Sequence, residues 1–166
     1  MYTIISGTNR PASNTIKIAR HYQQTLEKKG IKSTLLSLEG LDVSNRNPGL
    51  REVEARQLIP SEKFIFVSPE YNGSFPGVLK SLFDNTDPQK VWWGKKALLT
   101  GVSTGRAGNL RGMEHLTGIL HYMKVLVHPD KLPISVVDIL LKEDGTIHDP
   151  KTLAAINQQV DEFIHF

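Results

Sequence analysis

The sequence predicts an α/β fold of three layers, a five-stranded parallel sheet of order 2-1-3-4-5 between helices. Two observations carry that expectation. Short apolar runs alternate with longer amphipathic stretches along the whole chain, as in β-α units wound by right-handed crossovers. The 166 residues hold about five such units, too few for a six-stranded sheet of the dinucleotide-binding kind.

Tyr2-Thr3-Ile4-Ile5-Ser6 reads as a buried first strand, and after a polar turn Ile16, Ala19, Gln23 and Leu26 fall at helical spacing. Ile31 to Leu38 is rich in β-formers. Asn47-Pro48-Gly49 makes a turn, followed by a weak helix from Leu50 to Leu58 that Pro60 ends. Lys63-Phe64-Ile65-Phe66-Val67 has the unbroken apolar character of a strand covered on both faces. Pro76 is expected at the first helical position, where its missing N–H is harmless. Val78, Leu79, Leu82 and Phe83 then form one apolar face, stopped by Asp87-Pro88. Lys96 to Val102 is the fourth strand, and Leu110, Met113, Leu116 and Leu120 make the next helical stripe. Val125-Leu126-Val127 is a short fifth strand. Asp149 caps a last helix with Pro150 at its first position and Leu153, Ile156, Val160, Phe163 and Ile164 on its inner face.

Composition narrows the function classes. Hydrophobic residues make up 39% and charged residues 22%, which excludes a disordered chain, and no apolar run reaches the length of a membrane span. Residues 1–166 are expected to form one domain, with no repeat, linker or low-complexity stretch. The absence of Cys removes disulfides, thiol nucleophiles and iron–sulfur clusters. With an N-terminus that lacks a secretory lead, it agrees with a cytoplasmic location. Net charge is only +3, and no basic cluster with interleaved aromatics points to nucleic acid. The six His include no metal-binding spacing, so no metal is expected.

The chemistry-bearing residues lie in loops after the first, third and fourth strands. In the order 2-1-3-4-5 these strands are neighbours, and their carboxyl ends share the crevice where such sheets bind ligands. The first loop runs Ser6-Gly7-Thr8-Asn9-Arg10-Pro11-Ala12-Ser13-Asn14-Thr15 into a helix N-terminus, whose free N–H groups and dipole favour an anion. Ser6, Thr8, Ser13, Asn14 and Thr15 can donate to phosphate oxygens, and Arg10 can add a charged fork. Read alone, the loop is equally a polar turn in which Ser13 and Asn14 cap a helix. It matches neither the P-loop nor the G-x-G-x-x-G fingerprint. The second loop, Ser68-Pro69-Glu70-Tyr71-Asn72-Gly73-Ser74-Phe75-Pro76-Gly77, offers an aromatic wall in Tyr71 and an amide in Asn72, or else a plain Pro/Gly turn. The third holds Ser103, Thr104, Gly105 and Arg106, hydroxyls for a ring carbonyl and a cation for an anionic second ligand. Together one loop suits a phosphate and two suit a flat polar ring, the parts of a mononucleotide such as flavin mononucleotide (FMN).

These loops are where the sequence resembles the NAD(P)H-dependent FMN reductases of the flavodoxin-like superfamily, a family that includes quinone, azo and chromate reductases. The matching stretches are SGTNRPASNT at 6–15, SPEYNGSFPGVLK at 68–80 and GVSTGRAGN at 101–109. The resemblance implies that Ser6, Arg10, Ser13, Asn14 and Thr15 hold the FMN phosphate. It implies that Pro69, Glu70, Tyr71 and Asn72 line the ribityl chain and ring, and that Ser103 and Gly105 complete the pocket. Thr8-Asn9 stand where many members carry other small or apolar residues. NADPH or NADH is implied as hydride donor, a quinone, azo compound, flavin or similar small molecule as acceptor, and a homodimer or dimer of dimers as the assembly. Because the flavin carries the chemistry, no side chain is assigned a catalytic role. An FMN electron carrier of the flavodoxin type is the alternative, though such carriers are typically acidic. A phospho-receiver needs carboxylates after the first and third strands, where this chain offers only Glu70.

Outside the loops, Trp92-Trp93 are expected as a core anchor or a subunit contact, and Asp84 and Asp87 as helix-end residues. Tyr122 and Met123 suit either a partner subunit or the pocket.

Overall fold

The computed structural model describes residues 1–166. Its elements run β1 (Tyr2–Ser6), α1 (Asn14–Lys28), β2 (Ser33–Ser37), α2 (Pro48–Val53), β3 (Lys63–Pro69), α3 (Gly77–Asp84), α4 (Pro88–Val91), β4 (Lys96–Val102), α5 (Leu110–Tyr122), β5 (Leu126–Val127), β6 (Leu132–Ile134), α6 (Val137–Leu140) and α7 (Pro150–His165). A π-helical turn, Glu54–Leu58, continues α2. The strands are parallel in the order β2-β1-β3-β4-β5, as the alternation of elements predicts.

Side chains of a strand point to opposite faces in turn, and the sheet sorts them accordingly. Ile5, Phe64, Phe66, Ala97 and Leu99 join one core with Leu79, Leu82, Met113, Leu116 and Leu120 from α3 and α5. Ile4, Ile65, Val67 and Leu98 join the other with Ile18, Tyr22 and Leu26 of α1 and Ile156, Val160 and Phe163 of α7. Trp92 is the anchor of the first core: it is fully buried against Phe64, Phe66 and Phe83, and its indole N–H donates to Thr86 Oγ1 at 3.0 Å. Trp93 is partly exposed beneath the Lys124 ammonium. Asp87 caps α4 and Asp149 caps α7 through bonds to first-turn amides.

The structure corrects several details of the sequence reading. The fifth sheet position holds two strands: β5 pairs with Lys96 and Ala97, and β6 with Thr100, Gly101 and Val102. Pro129, lacking an N–H group, lies in the break between them, while Pro133 sits within β6 itself, on the sheet edge. The gap leaves Leu98 and Leu99, paired with β3 on one side, without a strand partner on the other, and the side chain of Gln159 fills it. Its amide donates to Leu99 O at 3.2 Å and to Asp130 O at 3.1 Å, while its Oε1 accepts the Tyr22 hydroxyl at 2.5 Å. Pro76 caps α3 from extended backbone, one residue before the first helical position. Leu110 begins α5 but is half exposed, so the inner stripe starts at Met113. In α1 it is Tyr22, not Gln23, that turns fully inward.

Registers set the site. Ser6 lies level with Val67, Pro69 with Val102, and Val102 with Ile134. The loops leaving β1, β3, β4 and β6 therefore emerge from one end of the sheet.

Candidate active site

A cavity of about 640 Å³ opens at that end. Its size falls within the range of roughly 300–1,000 Å³ typical of small-molecule and cofactor sites. Ten of the twelve residues expected at the site line it: Arg10, Ser13, Asn14, Thr15, Pro69, Glu70, Tyr71, Asn72, Ser103 and Gly105. Ser6 and Thr8 lie behind the wall. Gly7 N–H donates to Val67 O at 2.8 Å, so the β1 ladder runs one residue further and residues 6 and 8 share an inward side. Ser6 Oγ is buried without a partner, and Thr8 Oγ1 sits 2.5 Å from the Tyr71 hydroxyl.

The first loop has free donors. Ser13 caps α1 by accepting the Ile16 amide at 3.2 Å, which leaves the amides of Asn14 and Thr15 without an acceptor in the chain. They stand at the positive end of a 15-residue helix. Arg10 lies beside them and takes part in no ion pair. One cation, unpaired backbone amides and no carboxylate on this loop form a donor set for a phosphate.

The second loop is a tight reversal. Tyr71 N–H donates to Ser74 O at 2.8 Å and Ser74 N–H to Tyr71 O at 3.2 Å, while Asn72 and Gly73 both have positive φ. This is the two-residue turn for which Asn-Gly is the preferred pair. It leaves the amides of Asn72 and Gly73 unpaired at the cavity wall. Arg111 of α5 reaches over this turn, its Nη1 lying 3.0 Å from where a Cβ on Gly73 would stand.

The third loop spends the Ser103 hydroxyl internally, while Thr104 lines the cavity. Ser103 Oγ donates to Gly105 O at 2.9 Å and accepts the Gly108 amide at 3.0 Å, so it shapes the loop rather than offering the ring-facing donor expected of it. The segment after β6 braces the same loop through Val136 N–H to Gly105 O, Val137 N–H to Ser103 O and Ser135 Oγ to Arg106 O. Val137 thereby joins the cavity wall.

Sequence reasoning missed Asn109. It is fully buried, with φ of 61°, and its side-chain amide donates to Ser68 O at 3.0 Å and Pro69 O at 2.9 Å. It ties the start of α5 to the end of β3. The same junction requires glycine at 101, where a Cβ would fall 2.0 Å from Gly108 O. The only signal in the sequence was the place of Asn109 at the end of the third glycine-rich stretch.

Residues 2–137 match the NADPH-dependent FMN reductase family. An NAD(P)H-dependent FMN reductase of Pseudomonas aeruginosa is 30% identical over 142 residues, covering 79% of this chain and 76% of that protein. A 2-hydroxy-1,4-benzoquinone reductase of Burkholderia is 28% identical over 132 residues, covering 77% and 72%. Among solved structures, the flavoenzyme NAD(P)H:acceptor oxidoreductase of Paracoccus denitrificans superposes with a TM-score of 0.81 at 23% identity, over 99% of this chain and 94% of that one. Flavodoxin 2 of Bacillus cereus superposes with a TM-score of 0.67 at 16% identity, over 99% and 97%. Both structural likenesses describe the flavodoxin-like fold.

Proposed function

The chain belongs to the NADPH-dependent FMN reductase family, and we propose that its cavity seats FMN for the transfer of hydride equivalents from NAD(P)H to a small acceptor. The observation that carries this reading is the convergence of three loops on one cavity, with the donors for a phosphate at one side and unpaired turn amides at another. FMN, when bound, supplies the hydride chemistry. The chain's part is to bind, orient and exclude water. Arg10 and the amides of Asn14 and Thr15 would hold the phosphate, and the amides of Asn72 and Gly73 would meet negative charge on the ring. Tyr71 and Pro69 would wall the ring from one side, with the loop from Ser103 to Gly105 closing another. No side chain is assigned proton transfer.

The acceptor we propose is a quinone or an azo compound, following the reductases named among the relatives. We also take residues 1–166 as one FMN-binding domain that works in the cytoplasm, where NAD(P)H is supplied. We propose a homodimer as well, for which the exposed Tyr122 and Leu126, at and just beyond the end of α5, offer apolar area. No helix is long and apolar enough to cross a membrane.

The purified chain should be yellow or take up FMN, and anaerobic mixing with NADPH should bleach the flavin, with reoxidation by p-benzoquinone. A protein that binds FMN but is not bleached would be an electron carrier instead. One that binds no flavin would remove the reading altogether.

A further inference from the structure

Tyr71 belongs to the ring-side loop, yet its contacts are with the phosphate-side loop. Its hydroxyl lies 2.5 Å from Thr8 Oγ1, and Thr8 Oγ1 accepts the Arg10 amide at 3.3 Å. Over the same ring, 4.0 Å from its centroid, lies the guanidinium of Arg10. Tyr71 is itself held at both backbone groups by the reversal with Ser74. One fixed side chain therefore meets the loop between β1 and α1 twice, at its hydroxyl and on its face.

The geometry has a chemical consequence. A guanidinium stacks through its flat face, while all five N–H bonds lie in its plane. The cation–π contact with Tyr71, 4.0 Å from the ring centroid, therefore fixes where Arg10 sits, and a guanidinium laid flat on the ring spends no donor on it. An exposed arginine with no such support must be ordered when an anion arrives, which lowers affinity by roughly 2- to 10-fold. The Thr8 contact acts in the same sense on the backbone, since it anchors the loop two residues before Arg10.

We propose that Tyr71 is a positioning residue for the phosphate end of the ligand: it presets Arg10 and the first loop for a phosphate monoester and so discriminates FMN from unphosphorylated flavin. This rests on the reading of the cavity as an FMN seat and goes beyond it, because a ring wall alone would serve both flavins equally.

The test is the ratio of two affinities. The full chain, freed of flavin, is titrated with FMN and with riboflavin, and binding is read from quenching of flavin fluorescence. Tyr71→Phe keeps the stacked face and loses the hydroxyl. Its FMN affinity should fall about fivefold, the value of one hydrogen bond, with riboflavin affinity nearly unchanged. Tyr71→Leu loses both contacts, and FMN should lose roughly 10- to 50-fold while riboflavin loses only its share of ring packing. In an Arg10→Ala background, Tyr71→Leu should no longer change the FMN-to-riboflavin ratio by more than the Thr8 contact accounts for. Circular dichroism and thermal melts confirm that each variant is folded, and Tyr71→Phe is conservative enough to remain so. If the wild-type chain prefers FMN but both variants lose the two flavins in equal proportion, Tyr71 is only a wall and the proposal is overturned, with the cavity reading intact. If the wild-type chain binds neither flavin, the cavity reading falls first and the proposal with it.

Discussion

Asn109 offers the sharpest test of how the site is held together. Its side-chain amide supplies donors to two carbonyls at the end of β3, Ser68 O and Pro69 O, and its backbone occupies the left-handed region. Asn109→Ala removes both donors. A buried carbonyl left unpaired costs about 1–3 kcal/mol, while the left-handed backbone, strained by a Cβ in asparagine and alanine alike, adds little to the difference because Asn109 makes no local side-chain hydrogen bond. Two features reduce the sum. Pro69 O keeps a long bond from Ser68 Oγ at 3.3 Å, and Asn109 Oδ1, itself buried without a partner, is deleted with the side chain. The net loss expected is roughly 3 kcal/mol, a large share of the ~5–15 kcal/mol that holds a domain folded. Asn109→Gly loses the same two bonds but relieves the backbone, so it should be milder by about 1 kcal/mol despite its freer unfolded chain. Urea unfolding followed by circular dichroism reads both, as a fall in midpoint at constant slope. A loss under about 1 kcal/mol for the alanine variant, or a glycine variant worse than alanine, would refute the reasoning.

Gln159→Leu should destabilise by about 2–3 kcal/mol, because Leu99 O loses its donor in the gap between β5 and β6 while Tyr22 and Thr100 keep their mutual contact at 2.6 Å. Calorimetry should show a melting temperature lower by roughly 5–10 °C. Burial, aided by the nearby Lys28 charge, holds His21 below its ordinary value of 6.5. The folded chain therefore keeps His21 neutral where the unfolded chain is already binding a proton. Stability from this group is full above about pH 7 and is lost as pH falls through 6.5 toward the lower folded value. The midpoint of urea unfolding should drop between pH 7.5 and 5.5 in the wild type and less in His21→Gln. This window lies above that of Asp42, Asp87, Asp144 and Asp149, whose carboxyls are held below their ordinary range by hydrogen bonds from Ser44, Lys90, Thr146 and Thr152. At the mouth of the cavity, Arg106→Gln should raise KM for NADPH about 2- to 5-fold and leave KM for a neutral quinone unchanged, with the difference shrinking as salt is added.

Much of the fold was legible because it rests on periodicity. Apolar runs such as Phe64 to Val67, short and bounded by turn signals, read as a strand covered on both faces, and the sheet shows them so. Asp149-Pro150 marks a helix start by local chemistry alone, and the cap is there. The failures share a different cause. Leu132–Ile134 is three residues long with a central Pro133, and a strand so short has no period to read. Its existence depends on the open edge of β4 at Thr100 to Val102. Leu110 continues the helical spacing of Met113 and Leu116, but at the first turn of α5 it has already left the sheet's shelter. Periodicity reports a face and cannot report where the neighbour on that face ends.

The site divides along the same line. That three loops carry ligand chemistry was legible from composition, and that they meet followed from strand order, which is a property of the whole chain. What each hydroxyl does was not legible. Ser13, Thr8 and Ser103 are alike in sequence as small donors in polar loops. One caps a helix and faces the cavity, one is closed in against Tyr71, and one is consumed within its own loop. Those fates turn on single hydrogen bonds, each worth about 1 kcal/mol: two close within a few residues, and the Thr8 contact reaches across to the loop after β3. Asn109 makes the point from the other side: a residue with no functional signature bonds β3 to the start of α5, and so governs how far apart two ligand-bearing loops stand. Recognition in this fold is thus built in two tiers. Residues that face the cavity supply donors, and buried polar residues set the spacing at which those donors are presented. Composition reveals the first tier, and only coordinates reveal the second.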